Sequence, residues 1–427
     1  MFLPFILILT FLLLTSYFLF STWLNPFFAI TFPFYIITLF VMTLGQNMGY
    51  FPISDDALKL IMIGLAFFWV GCLGGYYITH FEGKNKRRRN YDIEHDYKYL
   101  DLPMYIAAFL SLVASTILYS LALLRLGVSA FGTEEVAKVV GTGLLAHVRL
   151  MAYPAIMYFS LRFLNRPKFK YILIVVVLLL SYFISTVKYH VIMPVLATLF
   201  LIALLRPDKL IKIFVACIVL VSIIFFANYA WFFVSATQTL TFANLQWIAW
   251  HMIDYVVGGP IALGIFLDSL PEGLGDFSFS SIFFPTLPDV ITSLFAEKPQ
   301  IAWLVNINEN GGMNNTGTLF WCLYFFLGWG GVVLWSIIVG SFTSWLFFFA
   351  KKKKNFVRVG LLSHIMAILL LTFFGNYFYL WAPWEWAFWI VITPVIADIL
   401  HGIRPPRSIE DNALIEGEVM NTFIEKR

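Results

Sequence analysis

The sequence predicts an all-α polytopic membrane protein with about 11 transmembrane helices (10–12) and one long outer loop. Three observations carry that prediction. Of the 427 residues, 60% are hydrophobic and only 12% are charged, against the ~25% charged of an ordinary soluble domain. The mean hydropathy is +0.84. The apolar residues also gather into runs close to the ~20 residues that cross a bilayer. This balance excludes a soluble globular enzyme, and a disordered chain would need low hydrophobicity and high charge. No alternating barrel pattern is present, so helices are the remaining way to satisfy the backbone in lipid.

The runs lie at 2–20, 26–45, 58–80, 103–125, 144–164, 171–187, 189–205, 211–235, 318–350, 356–379 and 383–400. The first is expected to be a retained span, because no small-x-small cleavage site follows it. The run at 318–350 is too long for one crossing and is expected to begin before it enters lipid. Cys72, Cys217 and Cys322 all sit inside apolar runs, so no disulfide framework is encoded. No internal repeat of the transporter kind is visible.

Orientation follows from the cations. Of the 28 Lys and Arg, 22 fall in alternate connections: 84–98, 162–170, 206–212, 351–358 and the tail. That side is expected to be cytoplasmic, with the N-terminus outside and the C-terminus inside. The net charge of +4 therefore gives no indication of nucleic acid, since the cations are sorted by membrane side. Residues 1–402 form the expected transmembrane domain, including an outer loop at 236–317, and 403–427 a polar cytoplasmic tail. The outer loop is expected to hold an amphipathic segment lidding the bundle.

The few cations on the outer side are the informative ones. Arg149 stands about five residues into an apolar run, where an unpaired charge costs on the order of 2.5 kcal/mol or more. A functional cation facing a cavity is one reading. An Arg snorkelling to the headgroups, or paired with Glu134 and Glu135 of the preceding loop, is the other. Lys188-Tyr189-His190 interrupts two short runs, and Lys188 is expected to converge with Arg149 on one anionic group such as a diphosphate. An ordinary tight turn is the competing reading.

His251 and Asp254 are spaced i, i+3 and share a helix face. A histidine oriented by a carboxylate can deprotonate a sugar hydroxyl near neutral pH, and a local interfacial pair is the alternative. Gly258-Gly259-Pro260 reads as a turn closing a short helix. The run Asn308 to Thr318 is dense in amides and hydroxyls beside Trp321 and Tyr324. It can cap the next helix, or Asn314, Asn315 and Thr316 can contact a glycan. Asp55-Asp56 is a further acidic pair on the outer side. Metal-ligand spacings and nucleotide-binding glycine patterns are missing, so neither a metal nor another cofactor is expected.

Taken in order, Arg149, Lys188-Tyr189-His190, Tyr255 with Gly259-Pro260, and Asn315-Thr316-Gly317-Thr318 entering a span with Gly328-Trp329-Gly330-Gly331 resemble the Wzy-type oligosaccharide repeat unit polymerases. That family often has Arg at the second cationic position and an acidic-Phe-Gly triplet in the later span. Here Lys188 and Phe326-Leu327-Gly328 stand instead. The resemblance implies a GT-C-like scaffold in the bacterial inner membrane, with an active site on the periplasmic face. It implies a metal-independent glycosyltransferase that moves a growing O-antigen, capsular or related glycan from undecaprenyl diphosphate to the next lipid-linked repeat unit. A chain-length regulator is a possible partner in that scheme. In it Arg149 and Lys188 bind diphosphate, His251 or His190 acts as base with Asp254 orienting, and Tyr255, Asn314, Asn315 and Thr316 grip sugar. An O-antigen ligase on the same donor, a polyprenyl-phosphate-sugar transferase using Asp55-Asp56, and a lipid-linked oligosaccharide transporter are the alternatives.

Overall fold

The computed structural model describes residues 1–81, 98–127, 134–184, 188–237, 239–269, 291 and 304–402. The basic run Lys84 to Arg89, Lys298 and the tail 403–427 lie outside the described residues. The chain forms an all-α bundle with the helix lengths and hydropathy of a multi-pass membrane protein. Among the described residues, nine helices are long and apolar enough to cross a membrane, and two shorter apolar helices accompany them.

In chain order the helices are α1 (Phe2–Phe20), α2 (Pro26–Phe40), α3 (Asp55–Phe81), α4 (Asp101–Leu126), α5 (Glu134–Val140), α6 (Leu144–Arg149) and α7 (Ala152–Asn165). They continue as α8 (Phe169–Phe183), α9 (Lys188–Leu205), α10 (Leu210–Thr237), α11 (Phe242–Asp268), α12 (Leu319–Lys352), α13 (Phe356–Leu370) and α14 (Trp381–Gly402). Local chemistry explains several starts. Asn25 caps α2 by accepting from the Phe28 N–H at 2.9 Å, with Pro26 at the first helical position. Asn355 caps α13 through Arg358 N–H at 2.9 Å. Thr241 and Asn244 form a capping box that starts α11.

Polar contacts fix the two ends of the bundle. The N-terminal ammonium pairs with Asp55 at 3.2 Å, setting the starts of α1 and α3 side by side. At the other end Lys352 donates to the Thr79 carbonyl at 3.0 Å, and Arg162 meets Asp101 at 3.1 Å. Between them α3 and α12 pack along a seam of small residues. A methyl on Gly71 or Gly75 would collide with the backbone of Ile337 or Ser341, and Ser344 donates to the Cys72 carbonyl at 2.8 Å. Small residues let two helices approach closely without a hydrophobic driving force between them.

The long run at 318–350 is broken. Gly328 (φ 58°, ψ −160°) divides α12 into an arm, 319–327, and a straight segment, 329–352. Phe320 lies against Gly64 while Ile337 and Ser341 lie against Gly71. Seventeen or more residues of α12 thus correspond to seven of α3, so the arm does not run alongside α3.

The expected outer loop at 236–317 needs correction. It contains α11, a 27-residue helix, in place of a short one. The Gly258-Gly259-Pro260 stretch is inside that helix and makes no turn. Its glycines serve close packing: a methyl on Gly258 would strike Asn314, and one on Gly259 the Phe373 carbonyl. Along α11, His251 meets Tyr229, Asp254 meets Tyr50, Gly264 meets Ser54 and Phe266 meets Trp321. These contacts all belong to the Asp55 end, so α11 is held against that end of the bundle. Beside it a two-stranded antiparallel hairpin, β1 (Val305–Asn306) and β2 (Met313–Asn314), pairs Val305 with Asn314.

Candidate functional site

Arg149 ends α6, and Leu150-Met151 break the helix before α7 begins. The guanidinium lies inside the bundle: Arg149 is 1% exposed and among the largest fully buried side chains. One terminal nitrogen donates to the Tyr119 hydroxyl at 3.2 Å, and the other faces His190 Nδ1 at 3.3 Å. The Tyr182 ring centroid is 5.6 Å from the guanidinium carbon. The backbone of Arg149 is held too, its carbonyl accepting from Ser111 Oγ at 2.7 Å and from the Tyr182 hydroxyl at 3.4 Å. Among the described residues its Nε has no hydrogen-bond partner. None of the ion pairs among the described residues includes Arg149, and Glu135 is exposed. The snorkelling reading is therefore excluded by burial.

His147, two residues earlier, points elsewhere, as helix geometry requires. Its Nδ1 lies 3.0 Å from the Glu385 carboxylate at the start of α14. The next residue on α14, Trp386, is fully buried and stacks on Tyr153 at 4.7 Å. It also meets the His190 ring at 5.6 Å. The pocket around Arg149 is thus built by α4, α6, α8, α9 and α14.

The expected convergence of Lys188 with Arg149 does not occur. Lys188 and His190 are two residues apart on the first turn of α9 and project from different faces. His190 takes the Arg149 side. Lys188 turns to α10 and α11, where it donates to Tyr229 and to the Tyr255 hydroxyl at 3.1 Å. Its ammonium sits 3.8 Å from the Tyr229 centroid and 4.5 Å from that of Tyr255. Tyr255, read from sequence as glycan-binding, is engaged by Lys188 and stacked on Phe374 at 5.1 Å.

The expected His251–Asp254 pair is also not formed. His251 Nε2 meets the Tyr229 hydroxyl at 2.7 Å, and its ring stacks on Trp247 at 4.4 Å. Asp254 is 8% exposed and is claimed by two other donors, the Tyr50 hydroxyl at 2.8 Å and Asn308 Nδ2 at 3.1 Å. Sharing a helix face brings i and i+3 near each other, but a short carboxylate bonds whatever donor is nearest. Burial and the adjoining Asp254 carboxylate push the Tyr50 phenol above its ordinary pKa.

Asn308 organises the amide-rich run. Its Oδ1 accepts from Asn310 N–H at 3.0 Å and Gly312 N–H at 2.7 Å. Asn314 is buried and accepts from Thr316 N–H at 2.6 Å and Thr316 Oγ at 2.7 Å. Asn314 and Thr316 therefore close a local turn, while Asn315 is exposed and open to a ligand. Trp321 is 1% exposed and packs on Phe266, so it offers no sugar surface. Asp55 and Asp56 are exposed and pair with the N-terminus and Lys59. Among the described residues no group of three or more His, Cys, Asp or Glu gathers as metal ligands.

Sequence reasoning missed Tyr119, Tyr182 and Trp386 around Arg149, Tyr229 between Lys188 and His251, and Tyr50 on Asp254. Each is one aromatic among 80 Phe, Tyr and Trp residues, and no spacing singles it out. Residues 45–397 match a family of unknown function, DUF6337. The chain belongs to that family. The matched stretch runs from before Tyr50 to beyond Trp386, so it takes in every candidate residue named above. No curated protein and no solved structure matches the chain.

Proposed function

We propose that this family member is a membrane-embedded polysaccharide polymerase, acting on undecaprenyl-diphosphate-linked oligosaccharides at the Asp55 end of the bundle. That end is the periplasmic one in this reading. The observation that supports it is Arg149: a buried guanidinium that, among the described residues, has an unpartnered Nε and no ion pair. A buried cation without an acid is costly unless an anion arrives to meet it, and a diphosphate leaving group is such an anion. Arg binds phosphate through two parallel N–H donors, and the orphaned Nε with one terminal nitrogen can supply that fork.

The reaction is a displacement at the anomeric carbon of the growing glycan. An acceptor hydroxyl oxygen forms the new glycosidic bond, and the bond from that carbon to the diphosphate oxygen breaks. The hydroxyl proton passes to a base, and the electron pair leaves with the diphosphate, whose charge Arg149 stabilises. His251 is the base in this scheme, with Tyr229 rather than Asp254 fixing its ring. Lys188 then acts on α10 and α11, holding Tyr229 and Tyr255 in place, and is not a second diphosphate ligand. Asn315 is the remaining glycan contact from the amide-rich run.

The decisive test is the glycan profile of a strain lacking this gene. Surface lipid capped by a single repeat unit supports a polymerase. Complete loss of the cap indicates a ligase instead, and lipid-linked units trapped in the cytoplasm indicate a transporter.

A further inference from the structure

At the end of the bundle opposite Arg149, three inter-helix turns line a half-open cavity of about 280 Å³. Ser21 and Thr22 face it from the turn after α1, Ala203 from the end of α9, and Phe347, Lys351 and Lys354 from the end of α12. Among the described residues its lining holds two lysines, two hydroxyls and no carboxylate, and the rest is apolar. Lys351 Nζ also lies 3.4 Å from the Phe20 carbonyl, the last of α1, so its ammonium is fixed at a helix C-terminus.

A second observation falls on the same wall. Ser21 has φ 56° and ψ 30°, and among the described residues it is the one non-glycine with positive φ. Helices commonly close on a left-handed glycine at this place. A serine there carries backbone strain and puts a hydroxyl where glycine would put none, and such strain clusters at ligand sites.

We infer that this cavity binds the phosphate headgroup of an anionic phospholipid. Lys351 and Lys354 meet the phosphate, the hydroxyls of Ser21 and Thr22 meet its oxygens or those of the glycerol, and the apolar walls take the glycerol and first methylenes. The volume is at the lower edge of the ~300–1,000 Å³ of small-molecule pockets, so it admits a headgroup and not an oligosaccharide. Inorganic phosphate would satisfy the lysines but leave the apolar walls without a partner. The inference is independent of the proposed polymerase activity, since it concerns the opposite end of the bundle.

The test uses the purified full chain, delipidated in detergent and titrated with phosphatidylglycerol or phosphatidylcholine under native mass spectrometry. The expected result is one retained phosphatidylglycerol, with phosphatidylcholine held about tenfold more weakly or less. Lys351→Gln/Lys354→Gln should lose that retention by a similar factor. Arg166→Gln/Lys168→Gln removes the same charge from exposed residues at the same end of the bundle, outside the cavity lining, and should keep it. Equal losses in both double variants, or no preference between the two lipids, would overturn the site. Displacement of phosphatidylglycerol by millimolar inorganic phosphate would overturn the lipid assignment in favour of free phosphate. If the lysine variant does not fold, Ala203→Phe fills the cavity with both lysines intact, and lipid retained by that variant would equally sink the inference.

Discussion

His190 presents Nδ1 to a guanidinium nitrogen of Arg149 at 3.3 Å. A guanidinium has donors only, so Nδ1 must accept and the imidazole carries its proton on Nε2. Taking up a proton at Nδ1 would remove that acceptor and set two cations against each other in a buried site. His190 is therefore a positioning group for Arg149. Of the two histidines considered as base, that leaves His251, half-buried and hydrogen-bonded to Tyr229 at 2.7 Å.

Arg149→Ala should reduce polymerisation by about 10²–10³-fold, the usual cost of removing one stabiliser of developing negative charge. Arg149→Lys should retain part of the activity, because the charge stays while the two-donor geometry is lost. Both are read as glycan chain length against protein accumulation in the membrane. Full activity in Arg149→Ala would end the diphosphate reading. A matching defect on neutralising both Glu134 and Glu135 would make Arg149 a structural cation.

Asp254 and His251 should separate cleanly. Asp254 bonds Tyr50 and Asn308 and joins α11 to the hairpin, so Asp254→Ala should lower thermal stability by about 1–3 kcal/mol, the penalty for orphaned buried partners. Asp254→Asn keeps an acceptor oxygen and should be close to normal in both stability and rate. His251→Ala should cut the rate by about 10²–10⁴-fold, as loss of a general base does, with little change in melting temperature. A dead but stable Asp254→Asn protein would restore the His–Asp pair that the geometry argues against.

Polymerisation by the purified protein should survive a chelator, and Asp55→Asn/Asp56→Asn should remain active, since those carboxylates pair with the N-terminus and Lys59. Loss of activity in both measurements would favour the metal-dependent sugar-phosphate transferase reading.

For topology, a reporter fused after Lys354 should be cytoplasmic, and a tag inserted at Gly311 should be accessible from outside. Gly311 has φ 79° and open space around its Cα, so an insertion there should be tolerated. An external Lys354 fusion would invert the assignment of both ends.

Gly75→Leu should abolish accumulation, because the side chain would run into the Ser341 and Trp345 backbone and the Ser344 side chain. Gly330→Leu meets open space and should accumulate normally, which makes it the matched control for added bulk in a span.

The spans were legible because hydropathy is a local property: the run expected at 26–45 is the helix and turns from Pro26 to Met48, and that at 103–125 is α4. Arg149 was legible for the same reason, as a charge in an apolar stretch. Its partners were not. Tyr119 and His190 lie 30 and 41 residues away in sequence, and only the packing of α4 and α9 brings them in. Asp254 shows the opposite failure. The helical spacing to His251 was read correctly, but Tyr50, 204 residues distant, takes its oxygen. Lys188 and Arg149 were assigned to one anion because both stand on the side poor in cations, and membrane side alone does not say which face of α9 a side chain leaves from.

The break at Gly328 changes what an apolar residue in α12 is for. Unbroken, the 34 residues would reach about 51 Å at 1.5 Å each, well beyond the ~30 Å of hydrocarbon. Residues 329–352 already match that thickness, and the nine before them are released from the crossing direction. They carry Phe320 against Phe34 and Gly64, and Trp321 against Phe266. Those rings face protein on every side and never meet a lipid tail. A hydropathy plot credits them to the bilayer, yet they act as a stopper driven into the interior, and one glycine with a backbone no other residue adopts readily decides which of the two they are.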